Sequence, residues 1–298
     1  MSKTKSAVKS PKIKAKGAKR PAYRSTGGNI GIFIFLSVIS AFMILPMFYA
    51  ILQSLKPIDE IFAYPPRFFV RHPTANNYSQ LLKLANSLWV PFSRYVFNSL
   101  YVSIFSTAIY IFIAVMAGYA LAKGKFPGVA LISNLVVWTM LFRAEVLAVP
   151  QYIVISSFKL VDTHASIILP AMASTMGVFL MKQFMITAIP DSVLEAARID
   201  GAGEWKIVRS IVFPCVKPCI LTLVIFTFQS MWNNTGGAYI YTESLKMLPN
   251  ALSTIIAGGI ARAGAGAAVS VILMIPPIAV FLYSQSSVME TMSHSGLK

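Results

Sequence analysis

The sequence predicts an all-α polytopic membrane protein with about six transmembrane helices, and three observations carry that expectation. Of the 298 residues, 56% are hydrophobic and only 12% charged, where a soluble domain carries about 25% charged residues. The charges are also segregated. Runs free of Asp, Glu, Lys and Arg cover 25–55, 95–122, 126–142, 163–181, 218–242 and 263–289. A helix needs roughly 17–25 apolar residues to cross a bilayer, so all six qualify, the third only just. Finally, one strongly polar island, Glu195 to Pro214, interrupts the second half of the chain. No change in composition after residue 25 marks a second domain, so 25–298 reads as one membrane domain.

Residues 1–24 form a separate segment. They hold Lys3, Lys5, Lys9, Lys12, Lys14, Lys16, Lys19, Arg20 and Arg24 and no acidic residue, which places nine units of the formal +16 in the tail. A Lys/Ala/Ser/Pro sequence of this kind buries no core and is expected to be disordered. No aromatic residue precedes Tyr23, so stacking on nucleic acid is not supported. An anchor beside anionic lipid is the simpler role. The first apolar run exceeds the 7–15 residues usual in a signal peptide, and no clear cleavage pattern follows it, so it is expected to be a retained first span.

Basic residues before a first span favour the cytoplasmic side. Six spans then place both termini there. The later loops do not decide: eight basic residues fall on the inner side and nine on the outer. On this topology, 56–94 is an outer segment rich in turn signals, including Tyr64-Pro65-Pro66-Arg67 and His72-Pro73-Thr74-Ala75-Asn76-Asn77. The other outer connections are 143–162 and 243–262, and 182–217 is a large inner loop.

That inner loop has its own local chemistry. Ser192 with Glu195 three residues on matches a capping box. Ala196 and Ala197 favour helix and carry little bulk. Gly201 and Gly203 break the helix, and 205–212 resumes as a second short one before Pro214 opens the next span. The result is a compact knob whose small-residue face suits a groove on a partner. Glu195 alone is read as a cap, which needs no partner.

Glu195, Ala196, Ala197, Gly201, Ile211, Phe213 and Pro214, at their observed spacing, resemble the EAA loop of ATP-binding-cassette importer permeases, with Phe213 where the family usually has Leu. The resemblance continues through Asn98–Ser103, Ala117–Lys123, Phe126–Gly128, Val149–Tyr152, Phe179–Phe184, Trp232–Asn234, Leu248–Thr254 and His294–Gly296. These look like the second permease of the maltose-type carbohydrate-uptake branch. The match covers about 76–298.

The resemblance implies a bacterial cell-membrane importer with a second permease, two ATPase subunits and an extracytoplasmic solute-binding protein that delivers an oligosaccharide. It also implies that 182–217 carries the cytoplasmic EAA coupling helix. Glu195 would pair with a basic residue of the ATPase, Ala196 and Ala197 would permit close approach, and Gly201 would make the turn. ATP and Mg would belong to the partner ATPases and no cofactor to this chain.

The remaining chemistry is sparse. The sequence contains no Gly-x-x-x-x-Gly-Lys-Ser/Thr phosphate loop, so ATP hydrolysis by this chain is not expected. His72, His164 and His294 are scattered, and Cys215 and Cys219 have no histidine near them in sequence, so neither a metal site nor a nucleophile–base pair is suggested. Gln229, Trp232, Asn233 and Asn234 are candidates for the substrate path, because polar groups within a span are costly and an aromatic face beside amides suits a sugar. They also fit helix packing and interface roles. Arg143 and Glu145 read as a solvated interfacial pair beside possible contact with the binding protein. The small residues of 257–268 suit close packing or a flexible outer gate. An intramembrane enzyme would need paired ionisable groups within the spans. A secondary, ion-coupled transporter without an ATPase is the nearer alternative, but no internal repeat supports it.

Overall fold

The computed structural model describes residues 26–295, with side-chain surroundings for 29–285 apart from Ala144. The lysine-rich segment 1–24 and the side chain of His294 lie outside the described residues. The chain divides into two units, 1–48 and 49–298. In its described part, the first unit is the leading portion of helix α1 (Thr26–Leu55), apolar and exposed on all sides.

The second unit begins with the end of α1 and a short segment containing α2 (Ile58–Ile61) and α3 (Asn76–Asn86). Its irregular backbone is held by buried polar groups, as such a segment requires. Lys56 is buried and donates from Nζ to the Arg67 carbonyl at 2.6 Å. Glu60 accepts from the Arg71 amide at 2.8 Å, and Asn77 Nδ2 donates to the carbonyls of Ser54 and Lys56 at 2.8 and 2.7 Å.

The long helix α4 (Phe92–Lys123) is the axis of the unit. It is followed by α5 (Val129–Thr139), α6 (Ala144–Ser157), α7 (Ala165–Met172) and α8 (Thr175–Ala188). Helix α8 packs along α4, where an added Cβ on Gly118 would come within 2.6 Å of the Met181 Cβ. Buried Ser99, Ser103, Ser106 and Thr107 keep α4 narrow, as small residues do where membrane helices approach closely. The polar island supplies α9 (Asp191–Ile199), α10 (Glu204–Ile207), a π-helical stretch Val208–Val212 and α11 (Phe213–Cys215). Then come α12 (Lys217–Trp232), α13 (Leu248–Ile256) and α14 (Ala263–Ser295).

Among the described residues, four helical stretches are long and apolar enough to cross a membrane: 29–55, 92–123, 165–188 and 260–285. They fall on four of the six charge-free runs. The other two runs behave differently. Run 126–142 holds only the 11-residue α5, about 16 Å of helix against a hydrocarbon core of about 30 Å. Run 218–242 was expected to be helical throughout, but α12 stops at Trp232. Uncharged breakers end it: Asn234 Oδ1 accepts the Gly236 amide at 2.8 Å, and Gly236 is left-handed at φ 68°. The backbone that follows is tied by Asp162, which accepts from the amides of Tyr241 and Thr242, both at 2.9 Å. A fifth span arises only when Glu204–Cys215 and Lys217–Trp232 are taken together, across a 75° bend. Pro218 accounts for the bend, since its ring excludes the carbonyl four residues back from a continuous helix.

Two larger apolar clusters fill the unit, beside a smaller one of Val102, Ile167, Ile168, Ile240 and Met247. One joins α4 and α8 to the polar island and the start of α12 through Ala114, Met181, Met185, Leu194, Ile207, Val212 and Leu223. The other joins α3, the start of α4, the end of α12, α13 and α14.

Candidate functional site

Helix α9 is amphipathic in a way that fixes what each residue can do. Leu194 is buried and Ala197 half-buried, both against the first apolar cluster. Ser192, Glu195, Ala196 and Ile199 are exposed. They follow one another at the spacing that places residues on a single helical face. Ile199 is 86% exposed, which is unusual for a large aliphatic side chain on a braced helix. Thus Glu195 and Ala196 face outward and Ala197 inward.

The expected capping box does not form. Pro190 occupies the N-cap in extended conformation, Asp191 and Ser192 already belong to the first turn, and no side chain caps the helix. Proline fixes a φ suited to the approach, and Asp191 there complements the helix dipole. Glu195 therefore has no capping duty.

The other end of α9 explains the spacing from Ala197 to Gly201. The Gly201 amide donates to the Arg198 carbonyl at 3.0 Å, and the Ala202 amide to the Ala197 carbonyl at 2.9 Å. With Gly201 at φ 77°, this is a Schellman closure, which requires a left-handed residue four positions after the one whose carbonyl it closes. Ala197 and Ala202 both lean on the apolar cluster, supplying the contact that accompanies this closure.

Two polar braces hold the knob to the end of α4. Tyr119 Oη donates to Glu204 Oε2 at 2.7 Å, while Arg198 Nε donates to Glu204 Oε1 at 2.8 Å. Lys123 Nζ donates to Asp191 Oδ1 at 2.7 Å, with the lysine side chain only 7% exposed. That hydrogen bond, and then the lysine's charge, hold the Asp191 carboxyl below its usual range. Sequence reasoning missed these four roles, because the partners are 85 and 68 residues apart and no local pattern links them. Ile211 is half-buried against the same cluster, as is Phe213 in place of the usual leucine, and Pro214 is exposed one helical turn before the bend.

The substrate-path candidates are dispersed. Gln229 and Asn233 share an exposed face, four residues apart. Trp232 turns away from it: the indole is buried, donates from Nε1 to the Leu273 carbonyl at 2.9 Å and stacks on Phe228 at 6.1 Å. Asn234 serves the turn at Gly236. Among the described residues, no three His, Cys, Asp or Glu side chains gather as a metal site.

Comparison with known proteins places this architecture. The arabinooligosaccharides transport system permease AraQ of Bacillus subtilis (strain 168) is 28% identical over 272 residues, covering 91% of this chain and 96% of that protein. The sn-glycerol-3-phosphate transport system permease UgpE of Yersinia enterocolitica serotype O:8 is 33% identical over 204 residues, covering 65% and 70%. A permease chain from the crystal structure of a bacterial importer of the acidic polysaccharide alginate has the same fold, with a TM-score of 0.71 at 21% identity over 89% of this chain and 98% of that one. The family model for binding-protein-dependent transport system inner membrane components matches residues 125–289, which contain the knob and the last helices. The chain belongs to that family and is a permease subunit of a binding-protein-dependent importer.

Proposed function

We propose that this permease carries an oligosaccharide inward, and that α9 with its Gly201 turn is the part gripped by a separate ATPase. One observation carries the second half of the reading. Ser192, Glu195, Ala196 and Ile199 form an exposed stripe on a helix whose opposite face is fixed to α4, α8 and α12 by packing and by the Tyr119–Glu204 and Lys123–Asp191 contacts. A rigid knob with an apolar tip beside a carboxylate suits a cleft that ends in a basic residue. Force applied there is transmitted to the long axial helix.

In this arrangement the protein is a multi-pass protein of the bacterial cell membrane with six spans and both termini cytoplasmic. Helices α5 and α6 and the bent α10–α12 path complete the six. The basic tail at 1–24 lies against anionic lipid. A second permease, two ATPase subunits that bind ATP and Mg, and an extracytoplasmic solute-binding protein complete the importer. The alginate importer has been crystallised with a pentasaccharide-bound periplasmic protein, which supports such an assembly. Gln229 and Asn233 are the candidates that still present amides for a passing hydroxylated ligand. Trp232 supports their helix from behind.

A sugar is supported by the arabinooligosaccharide relative, which matches nearly end to end. The glycerol-phosphate relatives make a phosphorylated polyol the competing cargo. A ligand screen on the co-purified binding protein separates them: a calorimetric response to neutral oligosaccharides supports the proposal, and a response confined to sn-glycerol-3-phosphate overturns it. For the docking reading, Gly201→Asp should leave the permease in the membrane while losing the ATPase or uncoupling it. Normal co-purification and normal transport by that variant would defeat the idea, and so would an importer that runs on an ion gradient without an ATPase.

A further inference from the structure

A cavity of about 570 Å³ opens between the last turns of α4 and the knob. Its two ends differ in chemistry. The apolar end is formed by Met116, Ala120, Trp205 and Val208. Trp205 is largely exposed and meets exposed Phe112 edge-on, with ring centroids 6.5 Å apart. Met116 stands about 10 Å along the axis from the end of α4 at Lys123, so this wall runs inward from the helix end along a helix long and apolar enough to cross a membrane. An exposed tryptophan at such a boundary is the usual occupant of the membrane interface.

The polar end collects Lys123, Lys125 and Arg198 against one carboxylate, Glu204. Arg198 is engaged by Glu204, and the well-buried Lys123 by Asp191 from outside the cavity. Among the described residues, Lys125 makes no ion pair and is exposed. The cavity is therefore cationic at the surface end and greasy at the deep end. A small soluble anion has no use for the second property, and a neutral lipid none for the first. An anionic phospholipid uses both.

We propose that this cavity seats an anionic phospholipid, with its phosphate on Lys125 in the field of Lys123 and Arg198 and an acyl chain against Met116, Ala120 and Trp205. The site lies against the groups that brace the knob, so the bound lipid adjusts how firmly the knob is held. This rests on reading the knob as the ATPase contact.

The test uses the whole importer, purified in mild detergent with equal phosphatidylglycerol and phosphatidylcholine, and native mass spectrometry to count retained lipid. Phosphatidylglycerol should be retained over phosphatidylcholine. Lys125→Glu should lower that retention at least about fivefold, as expected for removing a surface cation from anionic lipid. Ala120→Trp, which fills the apolar end and leaves the charges in place, should lower it as well. Equal retention of the two lipids, or unchanged retention in both variants, would overturn the proposal. So would displacement of the lipid by millimolar inorganic phosphate, which would mark a soluble-anion site. ATPase co-purification is scored in the same samples. In the unsubstituted complex, no preference for phosphatidylglycerol with the ATPase present counts against the lipid site alone. Lipid retained with the ATPase absent supports the lipid site and counts against the docking reading.

Discussion

Replacing Gly201 by alanine, asparagine, aspartate and valine separates the conformation of the knob's turn from its charge. A Cβ added at Gly201 meets nothing within 4 Å, yet the residue sits at φ 77°. The cost of a side chain is therefore conformational and not steric crowding. For alanine the left-handed backbone costs about 1–2 kcal/mol, which is about 5- to 30-fold in the ratio of closed to opened turns. Asparagine and aspartate visit this region readily and cost less, whereas a β-branched valine costs more. What opens is the pair of bonds from Gly201 to Arg198 and from Ala202 to Ala197, at 3.0 and 2.9 Å. The assay is ATPase co-purification, followed by substrate-stimulated ATP hydrolysis in proteoliposomes. The expected order is glycine, asparagine, alanine, valine. Aspartate should fall below asparagine, because it adds a carboxylate next to Asp200 on the docking side. Valine equal to asparagine would refute the conformational argument. Aspartate equal to both asparagine and glycine would remove the argument for a docking surface.

Three further outcomes follow from the braces and the packing. Tyr119→Phe deletes the 2.7 Å hydrogen bond to Glu204; a bond to a charged group is worth about 1.5–3 kcal/mol, so amide exchange across 204–212 should accelerate while the ends of α14 are unaffected. Asp191 has a depressed folded-state pKa, so its contribution is present above the unfolded value of about 3.9 and is lost as pH falls through the lower folded value. Amide protection of 191–199 should accordingly be flat between about pH 5 and 8 and fall below about pH 4; Asp191→Asn should be less protected throughout the neutral range and lack that step. Trp232→Phe leaves the Leu273 carbonyl without its donor and should cost about 1–3 kcal/mol in stability, read as a lower melting temperature of the complex. Its substrate KM should stay unchanged once assembled material is compared, whereas a raised KM would restore Trp232 to the substrate path.

How far the sequence could be read depended on whether the determining contacts were local. Long charge-free runs located α1, α4, the α7–α8 pair and α14, because excluding charge from hydrocarbon leaves a mark in composition. The same rule ran past the end of α12, since Asn234 and Gly236 stop a helix without carrying charge. Ser192 and Glu195 had the spacing of a capping box, but Pro190 starts α9 earlier and shifts both into the helix. The Ala197 to Gly201 interval was legible as a motif, and its cause, a backbone closure, became visible only with the hydrogen bonds. The partners of Tyr119 and Lys123 could not be read at all, because tertiary packing brings them together from distant parts of the chain.

The π-helical stretch Val208–Val212 makes the interval from Gly201 to Pro214 a matter of phase. A π turn accommodates one residue more than an α turn. Winding the same residues as an ordinary α-helix, with none deleted, would rotate everything before them by about a quarter-turn relative to α12, close to the 100° step of one α-helical residue, whereas deleting one residue as the turn becomes α would leave that angle almost unchanged. With the rewound helix, the exposed stripe on α9 would point a quarter-turn away from the proposed ATPase contact, although every residue in it was still present. In this part of the chain, winding encodes an angle.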